Sequence, residues 1–291
     1  MFVFVSSSKQ RLNYRQMFSK IYQVHPLLQE YVQCIHVIDA CIEDDTLSAA
    51  CPYPPTPQNS LFFYVEDRIQ VDFQNSGRFM LQPEAVVVGP QVTSVMIDVG
   101  RYHKAVRVGF HPGGLFRLTG LPLQELLDGS CDAENLFGPV IRTVNQRLKE
   151  AGHPDELKQI IEHFLLRQCH ILKPLLPFDR AMLVLLQQEG RLSIDAVASM
   201  ACLSVRQLER VSKERLGYSP KLFARIIRFS KAYRLREQGT QSSWTQIAYE
   251  CGYFDQMHLI RDFRQFAGMA PGIIEKELRK EPVQLQKPLQ F

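Results

Sequence analysis

A chain of 291 residues, 45% hydrophobic and 22% charged, is long enough for two domains with separate cores and has the balance of an ordinary globular protein. No apolar run reaches the roughly 18 residues a membrane helix needs, and the apolar opening, residues 1–5, is too short and lacks the leading basic residues of a secretory signal. The net charge of +4 is uneven: residues 174–291 carry 18 Lys/Arg against 12 Asp/Glu, whereas residues 1–173 carry 16 against 18. Seven cysteines, an odd number without CxxC pairs, lead us to expect a reduced, cytoplasmic protein. Cys34, Cys41 and Cys51 are spaced too loosely for a zinc site, and a redox switch stays open.

In chain order, residues 25–37, opening His25-Pro26-Leu27-Leu28, are expected to form a helix. Short β-rich runs follow at 61–65, 69–73, 85–89, 95–99 and 105–110, separated by Pro, Gly and Asn clusters. That is the pattern of an antiparallel sandwich or barrel. Phe110, His111 and Gly113 are candidates for the mouth of a pocket, and a strand-ending turn is the competing reading. His36, His103 and His111 form no HxH or HxxxH pair, so no metal is expected. Residues 118–136 read as irregular helix, and 140–173 as helix, with Ile141, Val144, Leu148, Leu157, Ile160, Ile161, Phe164 and Leu165 as apolar positions. Lys173-Pro174-Leu175-Leu176-Pro177 reads as a hinge stiffened by its prolines.

The last third carries two helix-turn-helix patterns at a nearly fixed offset. Ala198 matches Ala248, fifty residues on, while Leu208 matches Leu259 and Arg210 matches Arg261, fifty-one on, so the second turn holds one extra residue. In the first copy Ile194, Val197, Ala198 and Ala201 share a buried face, with Ser193 and Ser204 placed to cap the two helices. Leu208 and Val211 turn inward. Arg206, Gln207, Glu209, Arg210 and Lys213 are the candidate DNA contacts at the start of the second helix. An arginine there can bond guanine, and Glu209 can accept from cytosine N4. Gly217 ends this helix, and Ser219-Pro220 opens a helix over 220–238 of roughly 28 Å at the standard rise, long enough to set two reading helices near one turn of B-DNA apart.

In the second copy Trp244, Ile247, Ala248 and Cys251 face inward, Gly252 makes the turn and Asp255 caps. Leu259, Phe263 and Phe266 point into the core; Gln256, Met257, Ile260, Arg261 and Arg264 point out as candidate contacts. Met257 and Ile260 cannot hydrogen-bond a base edge, so this helix is suited to methyl groups, shape or phosphate. Between Ser204 and Arg236 there are ten basic residues and two acidic ones, a density that fits phosphate contact.

Residues 174–280 resemble the DNA-binding domain of AraC/XylS-family bacterial transcription regulators. The residues that carry the resemblance are Ala198, Leu203-Ser204, Leu208, Leu216-Gly217-Tyr218-Ser219-Pro220, Arg228, Ala232, Ile247-Ala248, Gly252-Tyr253, Phe263 and Gly268-Met269-Ala270-Pro271. It implies two three-helix subdomains joined by a linker helix and binding successive major grooves. The chain departs from the family at Ser212, where a core Phe is favoured and looser packing is therefore expected, and after Pro271, where Gly272-Ile273-Ile274-Glu275 replaces the usual Tyr/Arg ending. Residues 1–140 resemble the cupin-like sensory domain of a subset of these regulators, through Pro26-Leu27-Leu28, Tyr31-Val32, Val108-Gly109-Phe110-His111-Pro112-Gly113-Gly114 and Gly120-Leu121-Pro122-Leu123-Gln124-Glu125-Leu126.

The expected architecture is α+β: a β-rich cupin-like barrel or sandwich over 1–140, helices over 141–173, a tandem helix-turn-helix domain over 174–280 and a tail over 281–291. By family analogy the helices of 141–173 couple or dimerise; they could equally be packing helices of the β-rich domain. The expected function is sequence-specific transcription regulation, more usually activation, with double-stranded DNA and, by resemblance, RNA polymerase as partners. No cofactor or membrane is called for. A small-molecule effector and a homodimer stay open. The rival is a small-molecule-processing cupin-like enzyme with secondary DNA binding, and no GxSxG, P-loop, HExxH or clustered carboxylate pair supports it. A purely architectural DNA binder is disfavoured by the polar residues exposed on both reading helices.

Overall fold

The computed structural model describes residues 14–42, 50–73 and 76–278. Its first half is built of strands β1 (Tyr14–Tyr22), β2 (Val32–Ile42), β3 (Ala50–Tyr53), β4 (Ser60–Tyr64), β5 (Gln70–Asp72), β6 (Met80–Leu81), β7 (Ala85–Val88), β8 (Val95–Asp98), β9 (Tyr102–Phe110) and β10 (Ser130–Asp132). They pair antiparallel in two sheets, ordered β1-β2-β9-β4-β7-β10 and β3-β8-β5-β6. In the larger sheet the two-residue alternation of strand side chains separates two environments. Ile35, Val37, Leu61, Phe63, Val87, Val106 and Val108 share one face and belong to one apolar core. The alternate residues His36, Phe62, Tyr64, Val86, His103 and Arg107 turn the other way and line a cavity with residues of the smaller sheet.

The expected helix over 25–37 is not there. Pro26–Leu28 make one 3-10 turn, and the chain then extends as β2. The β-branched residues Val32, Ile35, Val37 and Ile38 favour the pleated surface, and their register on β9 places Ile35 opposite Val108 and Val37 opposite Val106. The stretch 118–136 also differs from a helix. It holds the end of α1 (Gly114–Thr119), a 3-10 turn at Leu123–Leu126, β10 and α2 (Ala133–Phe137). Gly120, at φ +73°, stops α1 in the left-handed region.

α3 (Val140–Glu150) and α4 (Pro154–Gln168) fall where helix was expected, and their apolar positions enter the same core as the large sheet. They are thus packing helices of the β-rich domain. The hinge is pinned to α1: the Arg117 carbonyl accepts from the Lys173 N–H at 2.9 Å, and Arg117 Nε donates back to the Lys173 carbonyl at 2.9 Å.

The second half is helical: α5 (Pro177–Gln187), α6 (Ile194–Met200), α7 (Val205–Leu216), α8 (Pro220–Glu237), α9 (Trp244–Glu250), α10 (Gln256–Phe266) and α11 (Pro271–Leu278). Its core gathers Leu185, Leu208, Phe223, Phe229, Ile247, Leu259, Phe263 and Phe266. The two domains meet at the C-terminal end of α7. A Cβ on Gly217, which ends α7 at φ +87°, would fall 2.3 Å from Pro90 Cγ and 3.0 Å from the Leu123 carbonyl. The Arg215 guanidinium stacks 4.5 Å from the Phe116 ring of α1. Gly113 approaches Asp179 so closely that a Cβ there would lie 2.3 Å from Oδ1. Of the two readings of Phe110, His111 and Gly113, the structure supports the turn: Phe110 is buried in the large core, none of the three lines the cavity, and Gly113 faces the helical domain.

Candidate nucleic-acid interface

The two helix-turn-helix units repeat the same first cap and the same turn hydrogen bond. Ser193 and Ser243 cap α6 and α9, each accepting from the N–H three residues on. The Leu203 and Tyr253 N–H groups donate to the Ala198 and Ala248 carbonyls at 3.0 and 2.9 Å. The residue before each, Cys202 at φ +54° and Gly252 at φ +74°, is left-handed. A β-carbon is therefore tolerated in the first turn at a conformational cost that Gly252 escapes in the second. Ser204 and Asp255 then cap α7 and α10. The extra residue of the second turn is Phe254, which is 85% exposed. The change of offset from fifty to fifty-one marks this insertion in the sequence, although nothing local sets Phe254 apart there.

Arg206, Glu209, Arg210 and Lys213 are exposed on α7, and Arg261 and Arg264 on α10. None of these six forms a hydrogen bond or ion pair with a described residue. Gln207 is exposed, but its side-chain oxygen accepts from the Ser204 N–H at 2.9 Å, closing a capping box. Half-buried Gln256 accepts from Thr245 Oγ1 at 2.8 Å. Both side-chain carbonyls are thus engaged, while neither NH2 group donates to a described residue. Met257 is exposed and Ile260 half-buried, which suits apolar contact.

The basic density of α8 has a different use from the one its composition suggested. Arg225 is bound to Asp262 and Gln265, Arg228 donates to the Gly190 carbonyl at 2.7 Å, and Lys231 pairs with Glu189 at 2.8 Å. Arg236 lies 4.2 Å over the Trp244 ring. These cations tie α8 to both flanking units. Lys221 at the start of α8 is also exposed and has no side-chain partner among the described residues, which its place in a basic run does not reveal in the sequence.

Ser212 is fully buried, and its hydroxyl donates to the Tyr218 carbonyl at 2.6 Å. Its counterpart Phe263 is a packing hub, 5.0 Å from the Phe229 ring and 5.2 Å from Trp244. In α11, Ile274 is buried in the helical core and Ile273 is exposed.

A second feature lies in the β-rich domain. The cavity between the sheets encloses about 740 Å³ of non-atom space, its mouth included, among Val, Ile and aromatic side chains. Arg107 is 2% exposed there, bound through Nη2 to Gln58. Burial lowers His36 to about 3, with Arg107 and then His103 adding to the effect, and lowers His103 to about 4. Unfolding exposes both imidazoles to protonation below about pH 6.5, while the folded protein keeps them neutral. Stability should therefore be undiminished above that pH and decline toward pH 4, by about 2 kcal/mol per histidine at pH 5. Urea unfolding at pH 7.5 and 5 checks this; equal midpoints for the parent and a His36→Gln/His103→Gln variant at both pH values would refute it.

Two capped helix pairs joined by one braced helix, each presenting along the outer face of its second helix cations with no partner among the described residues, define a tandem helix-turn-helix domain. Residues 197–277 match a family model described as "Helix-turn-helix domain". This C-terminal part is similar to the transcriptional activator RhaS of Escherichia coli O1:K1 / APEC, 36% identical over 77 residues, 26% of this chain and 27% of that protein. It is also similar to the transcriptional regulator ArgR of Pseudomonas aeruginosa, 34% identical over 83 residues, 28% of this chain and 25% of that one. The match covers about a quarter of the length of these curated relatives. Among solved structures, ToxT from Vibrio cholerae O395 aligns with 80% of this chain and 95% of its own at 14% identity and a TM-score of 0.46.

Proposed function

We propose that this chain is a sequence-specific transcription regulator that places α7 and α10 in successive major grooves and, like its relative RhaS, activates. The carrying observation is the repeated turn geometry, which exposes Arg206, Glu209, Arg210 and Lys213 on one helix and Met257, Arg261 and Arg264 on the other, with Gln256 and Ile260 half-buried beside them. The cations hold phosphates or guanine edges, and Met257 and Ile260 meet thymine methyls. In this reading the β-rich domain is sensory and acts on α7 through the contact at Phe116, Leu123 and Gly217. RNA polymerase is the partner an activator would engage at a promoter. The relatives are named as regulators, and none favours the enzyme alternative.

The test is site selection from random duplex DNA, followed by anisotropy titration. Arg210→Ala and Arg261→Ala should each weaken the selected site by about 1–3 kcal/mol at unchanged stability. Random competitor bound as tightly as the selected site would refute the reading.

A further inference from the structure

The β-rich domain holds a charge that no described side chain neutralises. Arg107 reaches into the cavity from β9, and its Nε and Nη1 have no hydrogen-bond partner. It forms no ion pair with a described residue, and no Asp, Glu or Lys is among the lining side chains. A guanidinium taken out of water without a counter-charge is costly, and interiors tolerate one where something else supplies the anion. Three more unpartnered polar atoms surround the same space: His36 Nδ1, His103 Nδ1 and Tyr64 Oη. Both imidazoles are neutral near pH 7, so Arg107 carries the only charge among the lining side chains. The remaining wall is mostly Ile, Val and aromatic rings, including Ile38, Phe62, Phe73, Val88 and Ile97.

We propose that this cavity binds a small carboxylate with an apolar body, its carboxylate on the free edge of Arg107 and its hydrocarbon part against the Val, Ile and aromatic wall. A sugar or other polyol would leave most of its hydroxyls against hydrocarbon. A bare inorganic anion would leave the apolar wall unfilled. Tyr53 also lines the cavity, and burial raises its pKa.

The proposal deepens the sensory part of the function proposed above and rests on it only for its effect at DNA, so ligand binding is measured on the full chain without DNA. Phenylacetate and octanoate are titrated by calorimetry and thermal shift, with phenylacetamide, octan-1-ol and inorganic phosphate as controls. At least one acid should bind saturably, ten-fold or more tighter than its neutral counterpart, and phosphate should give no shift. Arg107→Met should stay folded, because it removes an unpaired buried charge, and should lose the acid-induced shift. Val88→Phe keeps Arg107, fills the cavity and should lose binding as well, so the proposal remains testable should Arg107→Met fail to fold. Equal binding of acid and neutral counterpart, a full response in either variant, a phosphate shift matching the acids, or no saturable binding by either acid would overturn it. Loss of operator preference with intact acid binding would instead remove the regulator reading and leave this site standing.

Discussion

Asp179→Ala should destabilise the protein by about 3–5 kcal/mol, the cost of breaking one side of a buried ion pair. Arg215 Nε and Nη2 donate to the two Asp179 oxygens at 2.9 and 2.7 Å, with side-chain exposures of 6% and 2%. The same carboxylate accepts from the Leu176 N–H at 2.8 Å and so starts α5. Without it a guanidinium stays buried beneath α7 with only the Phe116 ring for company. The pair also sits at the meeting of the domains, next to Gly113, so the loss should loosen the contact that holds the end of α7. Asp179→Leu with Arg215→Met should recover much of the stability, because an apolar pair carries no desolvation cost. Urea unfolding gives the comparison. A loss under about 1 kcal/mol in Asp179→Ala would mean that water reaches the arginine, as at an exposed pair.

How far the sequence foretold this molecule depends on how local each cause is. The helical half was legible because its signals are short-range. Ser193, Ser204, Ser219 and Asp255 each cap the helix beginning at the next residue, and Gly217 and Gly252 take the left-handed conformations their positions required. The outward residues of α7 and α10 followed from helical periodicity alone. In the β-rich half the runs at 61–65, 69–73, 85–89, 95–99 and 105–110 fall on β4, β5, β7, β8 and β9, because short β-branched or alternating stretches between turn residues are again a local signal. β2 was mistaken for helix because Gln33, His36 and Asp39 interrupt its apolar run, and only the second sheet makes a buried histidine there sensible. Arg107 reads as an exposed strand residue until β3, β5 and β8 cover it. The charge of α8 misled for the complementary reason: its partners Glu189, Asp262 and the Gly190 carbonyl lie 37–42 residues away.

The two helix-turn-helix units share a backbone plan but fill one matching core position differently, and this asymmetry should be measurable. Phe263→Ala should cost about 3–5 kcal/mol, the range for deleting a buried phenyl ring. The ring is fully buried and meets Phe229 of the linker helix and Trp244 of α9 edge-on. Its loss therefore opens a cavity bounded by three helices. At the matching position of the first unit, Ser212→Ala should cost only about 1 kcal/mol, the worth of the hydrogen bond donated to the Tyr218 carbonyl. Hydrogen exchange should show α9 and α10 losing protection in Phe263→Ala while α6 and α7 keep theirs. On a selected operator the variant should then protect the half-site read by α7 and release the one read by α10. The shared residue Phe229 sets the limit of this independence, because it packs on Phe263 and Phe266 from the middle of α8. If both units lost protection together, α8 would be transmitting the defect and the tandem reader would unfold as a single cooperative body.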